Sequence, residues 1–125
     1  MKPIVLIVDD SSTNRYLLAF YLRQLGLEVL EADSGAQALA LAATTPPALV
    51  LLDLLMPHMD GFETAIRLHA LPGIERVPIV AVTANVSESA RGAVLRAGFS
   101  GYVPKPIDPD TFPTEVRRHL NLPPP

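Results

Sequence analysis

Five short apolar runs alternate along the chain with stretches in which apolar residues recur every three or four positions. The first run, Ile4 to Val8, is β-branched and ends in Asp9-Asp10. The third begins at Ala48 and is unbroken until a single carboxylate, Asp53, before a loop containing Met56-Pro57 and Asp60-Gly61. A run without polar alternation predicts a strand buried on both faces. Leu27 to Ala32, Val77 to Thr83 and Gly101 to Pro104 predict the remaining strands, with Pro78 tolerated near the start of the fourth.

The intervening stretches read as helices. Ser11, Ser12 and Thr13 offer N-cap hydroxyls for a helix carrying Leu17, Leu18, Tyr21, Leu22 and Leu25, which Gly26 stops. Ser34 with Gln37 makes a capping box for an Ala- and Leu-rich helix ended by Thr44-Thr45-Pro46-Pro47. Asp60 with Glu63 starts a third, carrying Phe62, Ala65, Ile66, Leu68 and His69 and terminated by Leu71-Pro72-Gly73. Ser87 caps a fourth that runs to about Ala97, where Gly98 closes it. Ser89 and Gly92 are poor helix formers, so this helix is expected to be the least stable and a mobile one. Asp110 is expected to cap the last, whose first turn accommodates Pro113.

Strand and helix alternating five times predict an α/β, doubly wound fold: a five-stranded parallel sheet with right-handed crossovers, five helices and both faces covered. The common strand order for this flavodoxin-like class is 2-1-3-4-5, with ligands bound beyond the carboxyl ends of strands one and three. Those strands end in Asp9-Asp10 and Asp53.

With 125 residues, 49% of them hydrophobic, the chain fits one domain over residues 1–125, with a Pro-rich tail at 121–125. A net charge of −3 argues against a nucleic-acid partner, whose footprint is a basic patch. Without cysteine, any metal must bind through oxygen or imidazole. The opening MKPIVLIVDD is too short to span a membrane and lacks a cleavage site, so a cytoplasmic protein is expected.

Three carboxylates at one sheet edge repel one another and stay ionised together only with a cation supplied. An all-oxygen site suits Mg²⁺, which binds one or two carboxylates together with phosphate oxygens. Thr83 and Lys105 end strands four and five at the same edge and can hold phosphoryl oxygens as charge develops. A carboxylate can itself attack phosphorus, and Asp53, single and central, is the best candidate. Any one of these acids is more readily explained as a polar strand end or helix cap; the whole set is not.

The motifs VDD at 8–10, LLDLLMPHMDG at 51–61, VTA at 82–84 and YVPKPI at 102–107 make the chain resemble the receiver domain of two-component response regulators, CheY-like, from Ile4 to about Leu120. The resemblance implies that Asp53 is the phosphoacceptor, that Asp9, Asp10, Asp53 and the Leu55 carbonyl hold Mg²⁺, and that Thr83 and Lys105 sense the phosphoryl group. It further implies a sensor histidine kinase or histidine phosphotransfer protein as donor, and a cis bond between Lys105 and Pro106. Tyr102 becomes a rotating switch with Thr83 and the 86–97 segment, and a downstream protein binds the fourth helix, fifth strand and last helix. Leu55 and Asn85 occupy positions that govern phosphoryl lifetime; Leu55 cannot orient an attacking water whereas Asn85 can, so a slow but measurable loss, over minutes or longer, is expected. Ala48 stands where the family often has an acid, while Pro104 and Pro113 stiffen the output side. A single-domain regulator is expected, Met1 lying close to the first strand, with a receiver from a hybrid kinase as the alternative.

Weaker signals read as packing or surface. His58, His69 and His119 share no metal-ligand spacing. Met56 and Met59 are expected to pack their loop, and Arg117-Arg118-His119 to form a solvated helix end that complements the dipole. Tyr102 is as well explained by packing as by switching. Two rivals are a flavodoxin-like mononucleotide binder, through the loop 10–14, and an aspartyl phosphatase. Asp9 and Asp10 would repel a bare phosphate in the first, and the missing acid two residues after Asp53 argues against the second.

Overall fold

A computed structural model describes residues 2–56, 60–84 and 87–122. The elements follow one another as β1 (Ile4–Val8), α1 (Ser12–Gln24), β2 (Glu28–Ala32), α2 (Gly35–Thr44), β3 (Leu49–Asp53), α3 (Gly61–His69), β4 (Ile79–Thr83), α4 (Glu88–Arg96), β5 (Gly101–Pro104) and α5 (Phe112–His119). All strand pairs are parallel and the order is β2-β1-β3-β4-β5, as the alternation implies. β2 and β4 start one and two residues later than expected, so Pro78 stands just before its strand, where its carbonyl accepts the Val50 amide at 3.0 Å.

Successive strand side chains point to opposite faces, and the core divides accordingly. Leu6, Val8, Val50, Leu52, Ile79 and Ala81 face Ala38 and Ala42 of α2, Ala65 and Leu68 of α3 and Val94 of α4. Val5, Ile7, Leu49, Leu51, Val80, Val82 and Val103 face Leu18, Ala19 and Leu22 of α1 and Phe112 and Val116 of α5. Each large side chain so buried contributes on the order of 1.5–3 kcal/mol. All five residues of β3 and of β4 are buried, which explains why their sequences do not alternate.

Most caps fall where the sequence puts them. Ser11, Ser34, Asp60 and Ser87 each accept an amide three residues on. Gln37 reaches back to the amide of Asp33 at 2.7 Å, one residue outside the usual capping box. Gly26 and Gly98 end α1 and α4 at φ of 80° and 95°, a conformation in which a side chain would be strained.

Three expectations fail. Asp110 does not cap α5: Thr111 occupies that position without a side-chain bond, and the turn is held by Asp108, whose Oδ1 accepts the Asp110 amide and whose carbonyl accepts that of Phe112. Ile66 and Leu17 keep the apolar spacing but lie outside the buried stripes, 66% and 38% exposed. His119 is not part of a solvated helix end. Its side chain is 11% exposed and its ring lies against Gly101 of β5, so close that a Cβ there would meet it at 3.1 Å. Pro57, His58, Met59, Asn85 and Val86 lie outside the described residues, and so do the expectations placed on them; Met56 packs in the core as expected.

Candidate functional site

The carboxyl ends of β1 and β3 bring Asp9, Asp10 and Asp53 together, with one ligand oxygen from each lying within 4.8 Å of the others. Asp9 continues the Val5–Ile7 row and Asp53 the Leu49–Leu51 row, both on the α1/α5 side. Asp9 and Asp53 are 1% and 7% exposed, whereas Asp10, one step along the pleat, is exposed. Asp9 is tied through its backbone and one carboxylate oxygen: its amide donates to the Ala32 carbonyl at 3.1 Å, its Oδ1 accepts the Ser11 amide at 2.9 Å, and its carbonyl accepts Arg15 Nη1 at 2.7 Å.

Lys105 completes the cluster from β5. Its amide donates to the Thr83 carbonyl at 2.8 Å, which holds it beside the end of β4, and its bond to Pro106 is cis, as the resemblance implied. Its Nζ lies 3.3 Å from Asp9 Oδ2 and 3.5 Å from Asp53 Oδ2, bridging the two buried acids. Asp53 Oδ1 accepts the Leu55 amide at 3.2 Å, so both carboxylate oxygens are held. Burial raises the Asp53 carboxyl above its ordinary 3.8; the Leu55 amide opposes this, Asp9 adds to it and Lys105 opposes it. The donor set is therefore all oxygen, anionic and already partly neutralised by one ammonium.

Thr83 and Tyr102 belong to the other face. Thr83 follows Ile79 and Ala81 and is buried, and half-buried Tyr102 packs against the α2/α3/α4 core. The Arg91 guanidinium of α4 sits over the Tyr102 ring, 4.9 Å from its centroid. Leu55 is 79% exposed. His69 Nε2 meets the Val77 carbonyl at 3.0 Å, a boundary contact and not a ligand position.

Two contributors escape a reading of the sequence. Arg15 reaches the Asp9 carbonyl from α1; a cation near a helix N-terminus opposes the dipole, and that is a signal that it serves another group. Gly61 packs on the chain at the end of β3: a Cβ there would meet Leu54 Cα at 2.6 Å and the Asp53 carbonyl oxygen at 2.7 Å, and its amide donates to the Leu54 carbonyl at 2.9 Å.

A parallel 2-1-3-4-5 sheet with acids at the ends of strands one and three and a lysine after strand five defines a doubly wound protein with its charged cluster at the carboxyl edge of the sheet. Residues 5–117 match the response regulator receiver domain family, and the chain belongs to it. It is 43% identical over 105 residues to an uncharacterized 14.6 kDa protein of Leptolyngbya boryana, covering 84% of this chain and 80% of that one. It is 36% identical to protein PilH of Pseudomonas aeruginosa, covering 86% and 89%. Signal transduction histidine-protein kinase BarA of Escherichia coli is 37% identical over 92% of this chain, which spans only 12% of that kinase.

Among solved structures, chemotaxis protein CheY4 of Vibrio cholerae superposes with a TM-score of 0.85 at 31% identity, over 94% and 98% of the two chains. The receiver domain of histidine kinase PA1611 from Pseudomonas aeruginosa, with magnesium in its active-site cleft, gives 0.87 at 29% identity, over 97% and 99%. The chain is thus a signalling module of the CheY type and not a metabolic enzyme. Mononucleotide binding is not favoured by the family match, and in the loop after β1 the Ser11 amide is taken by Asp9 Oδ1. No helix among the described residues is long and apolar enough to cross a membrane.

Proposed function

We propose that Asp53 accepts a phosphoryl group from a histidine kinase or histidine phosphotransfer protein, and that residues 1–125 act as one cytoplasmic receiver unit. The observation that carries this reading is the buried Asp53 carboxylate, clustered with Asp9 and Asp10 and bridged to Asp9 by Lys105. An Asp53 oxygen forms a bond to phosphorus as the bond from phosphorus to the donor imidazole nitrogen breaks, and the nitrogen keeps the electron pair.

The residues fit a divalent cation. Asp9, Asp10, Asp53 and the Leu55 carbonyl would hold Mg²⁺, which when bound neutralises the acids and the phosphoryl oxygens and orients the incoming group. The Leu55 amide orients the Asp53 carboxylate. The Lys105 ammonium, now shared between two acids, is poised to follow developing charge onto a phosphoryl oxygen. Thr83 offers its hydroxyl from β4.

Output follows from the face on which these last groups stand. Thr83 and Tyr102 share the α4 side, so capture of a phosphoryl oxygen by Thr83 biases Tyr102, α4 and the downstream partner surface on α4, β5 and α5. Phosphoryl loss from the isolated domain is slow, over minutes or longer, because Leu55 cannot orient an attacking water. The test is labelling with acetyl phosphate and Mg²⁺, read on a phosphate-affinity gel. Wild type shifts and Asp53→Asn does not; equal labelling of the two sinks the assignment.

A further inference from the structure

Arg15 is absorbed by none of the roles above, yet from α1 it reaches the backbone of the acid cluster. It stands at the fourth position of that helix, and its side chain is 18% exposed. The guanidinium turns back to the sheet: Nη1 donates to the Asp9 carbonyl at 2.7 Å while Nε lies 3.4 Å from Glu31 Oε1 on β2. Glu31 is also 3.9 Å from Arg23, eight residues further along α1, so the brace ties α1 to β2 at two points.

The peptide group that Arg15 holds is the one joining Asp9 to Asp10. Asp9 has three other anchors, the Ala32 carbonyl, the Ser11 amide and the Lys105 ammonium. Asp10 is exposed and takes part in none of these, so the direction of its carboxylate depends on the plane of the Asp9–Asp10 peptide.

We propose that Arg15, clamped by Glu31, is a positioning residue for the acid cluster: it fixes the Asp9–Asp10 peptide and so aims the Asp10 carboxylate at the cation position beside Asp53. The inference rests on the reading of the three acids as a Mg²⁺ site. It has a sign that charge alone cannot imitate. Arg15 is a cation near an anionic cluster, so deleting it on Coulombic grounds would tighten Mg²⁺ binding. Loss of positioning loosens it.

The test is Mg²⁺ affinity of the full chain by isothermal titration calorimetry, beside thermal unfolding in chelator. Arg15→Met is expected to weaken Mg²⁺ about tenfold, the size typical of losing a partner that orients a ligand. Arg15→Lys keeps the charge but lacks the planar fork that spans carbonyl and carboxylate, and weakens binding similarly. Saturating Mg²⁺ restores acetyl phosphate labelling of Arg15→Met to the wild-type level. Arg15→Met binding Mg²⁺ as tightly as wild type, or more tightly, overturns the proposal whatever happens to its melting temperature. A wild type that binds no Mg²⁺ overturns both the site reading and the proposal, whereas normal Mg²⁺ binding with Asp53→Asn still labelled overturns only the acceptor assignment.

Discussion

Helices α3 and α4 have the same length, nine residues, and pack on the same face of the sheet, yet they are held very differently. α3 buries Gly61, Thr64, Ala65 and Leu68, and its first residue is pressed onto the backbone that carries Asp53. α4 buries only Val94, contains Gly92, and meets β5 through an Arg91 guanidinium lying on a half-buried tyrosine ring. On the proposed function the difference separates two tasks. Accepting a group at a fixed carboxylate needs a rigid support, and a response needs an element whose alternatives lie close in energy.

The comparison breaks most visibly in the core. Leu68→Ala on α3 is expected to cost about 2–5 kcal/mol, while Leu95→Ala on α4, 54% exposed, should stay within about 0.5 kcal/mol. Urea unfolding of both variants measures the contrast, and similar losses would mean the two helices are equally supported. Gly61→Ala comes next, at roughly 1–3 kcal/mol, because its methyl group would meet backbone and not a flexible side chain. It should also slow acetyl phosphate labelling, and a variant with wild-type stability and labelling would remove Gly61 from the support of Asp53.

Arg91→Ala should cost only about 0.5–1 kcal/mol, the scale of a cation–π contact at an exposed site. Its signature is local: Tyr102 ring resonances shift while those of β3 do not. The smallest effect is a pH dependence. Burial, then the charge of Arg118, lowers His119 below its ordinary 6.5, with Glu115 partly opposing. The unfolded chain therefore takes up the proton first, so stability is intact above pH 6.5 and declines as pH falls from there towards the lowered value. His119→Gln should flatten that decline in thermal melts across the same window, and an unchanged slope would show that the ring titrates freely.

Much of this was legible before any fold was known. Asp9, Asp10, Asp53, Thr83 and Lys105 each stand where an apolar run gives out, and a doubly wound order brings such positions to one edge. The N-caps at Ser11, Ser34, Asp60 and Ser87 were legible because a cap is a contact three residues long. The reading fails where two neighbours compete for one turn or where the deciding contact lies far along the chain. Asp110 has cap chemistry, but the turn before α5 belongs to Asp108; Ile66 has the spacing but not the buried side; His119 looked solvated because nothing nearby in sequence announces Gly101 against its ring.

Sequence by itself determined the elements, their class and which strand ends carry acid, hydroxyl or amine, because hydrophobic period and capping are read within a few residues. Only the tertiary structure decided which of those groups meet. Lys105 reaches Asp9 across 96 positions of chain, and it does so because β5, β4, β3 and β1 lie in that order with Val103 and Ile7 on the same face. The same pleat turns Thr83 and Tyr102 to the opposite side, towards α4. A two-residue period assigns each side chain to one of two faces, but which helix waits on that face is a property of the packed sheet.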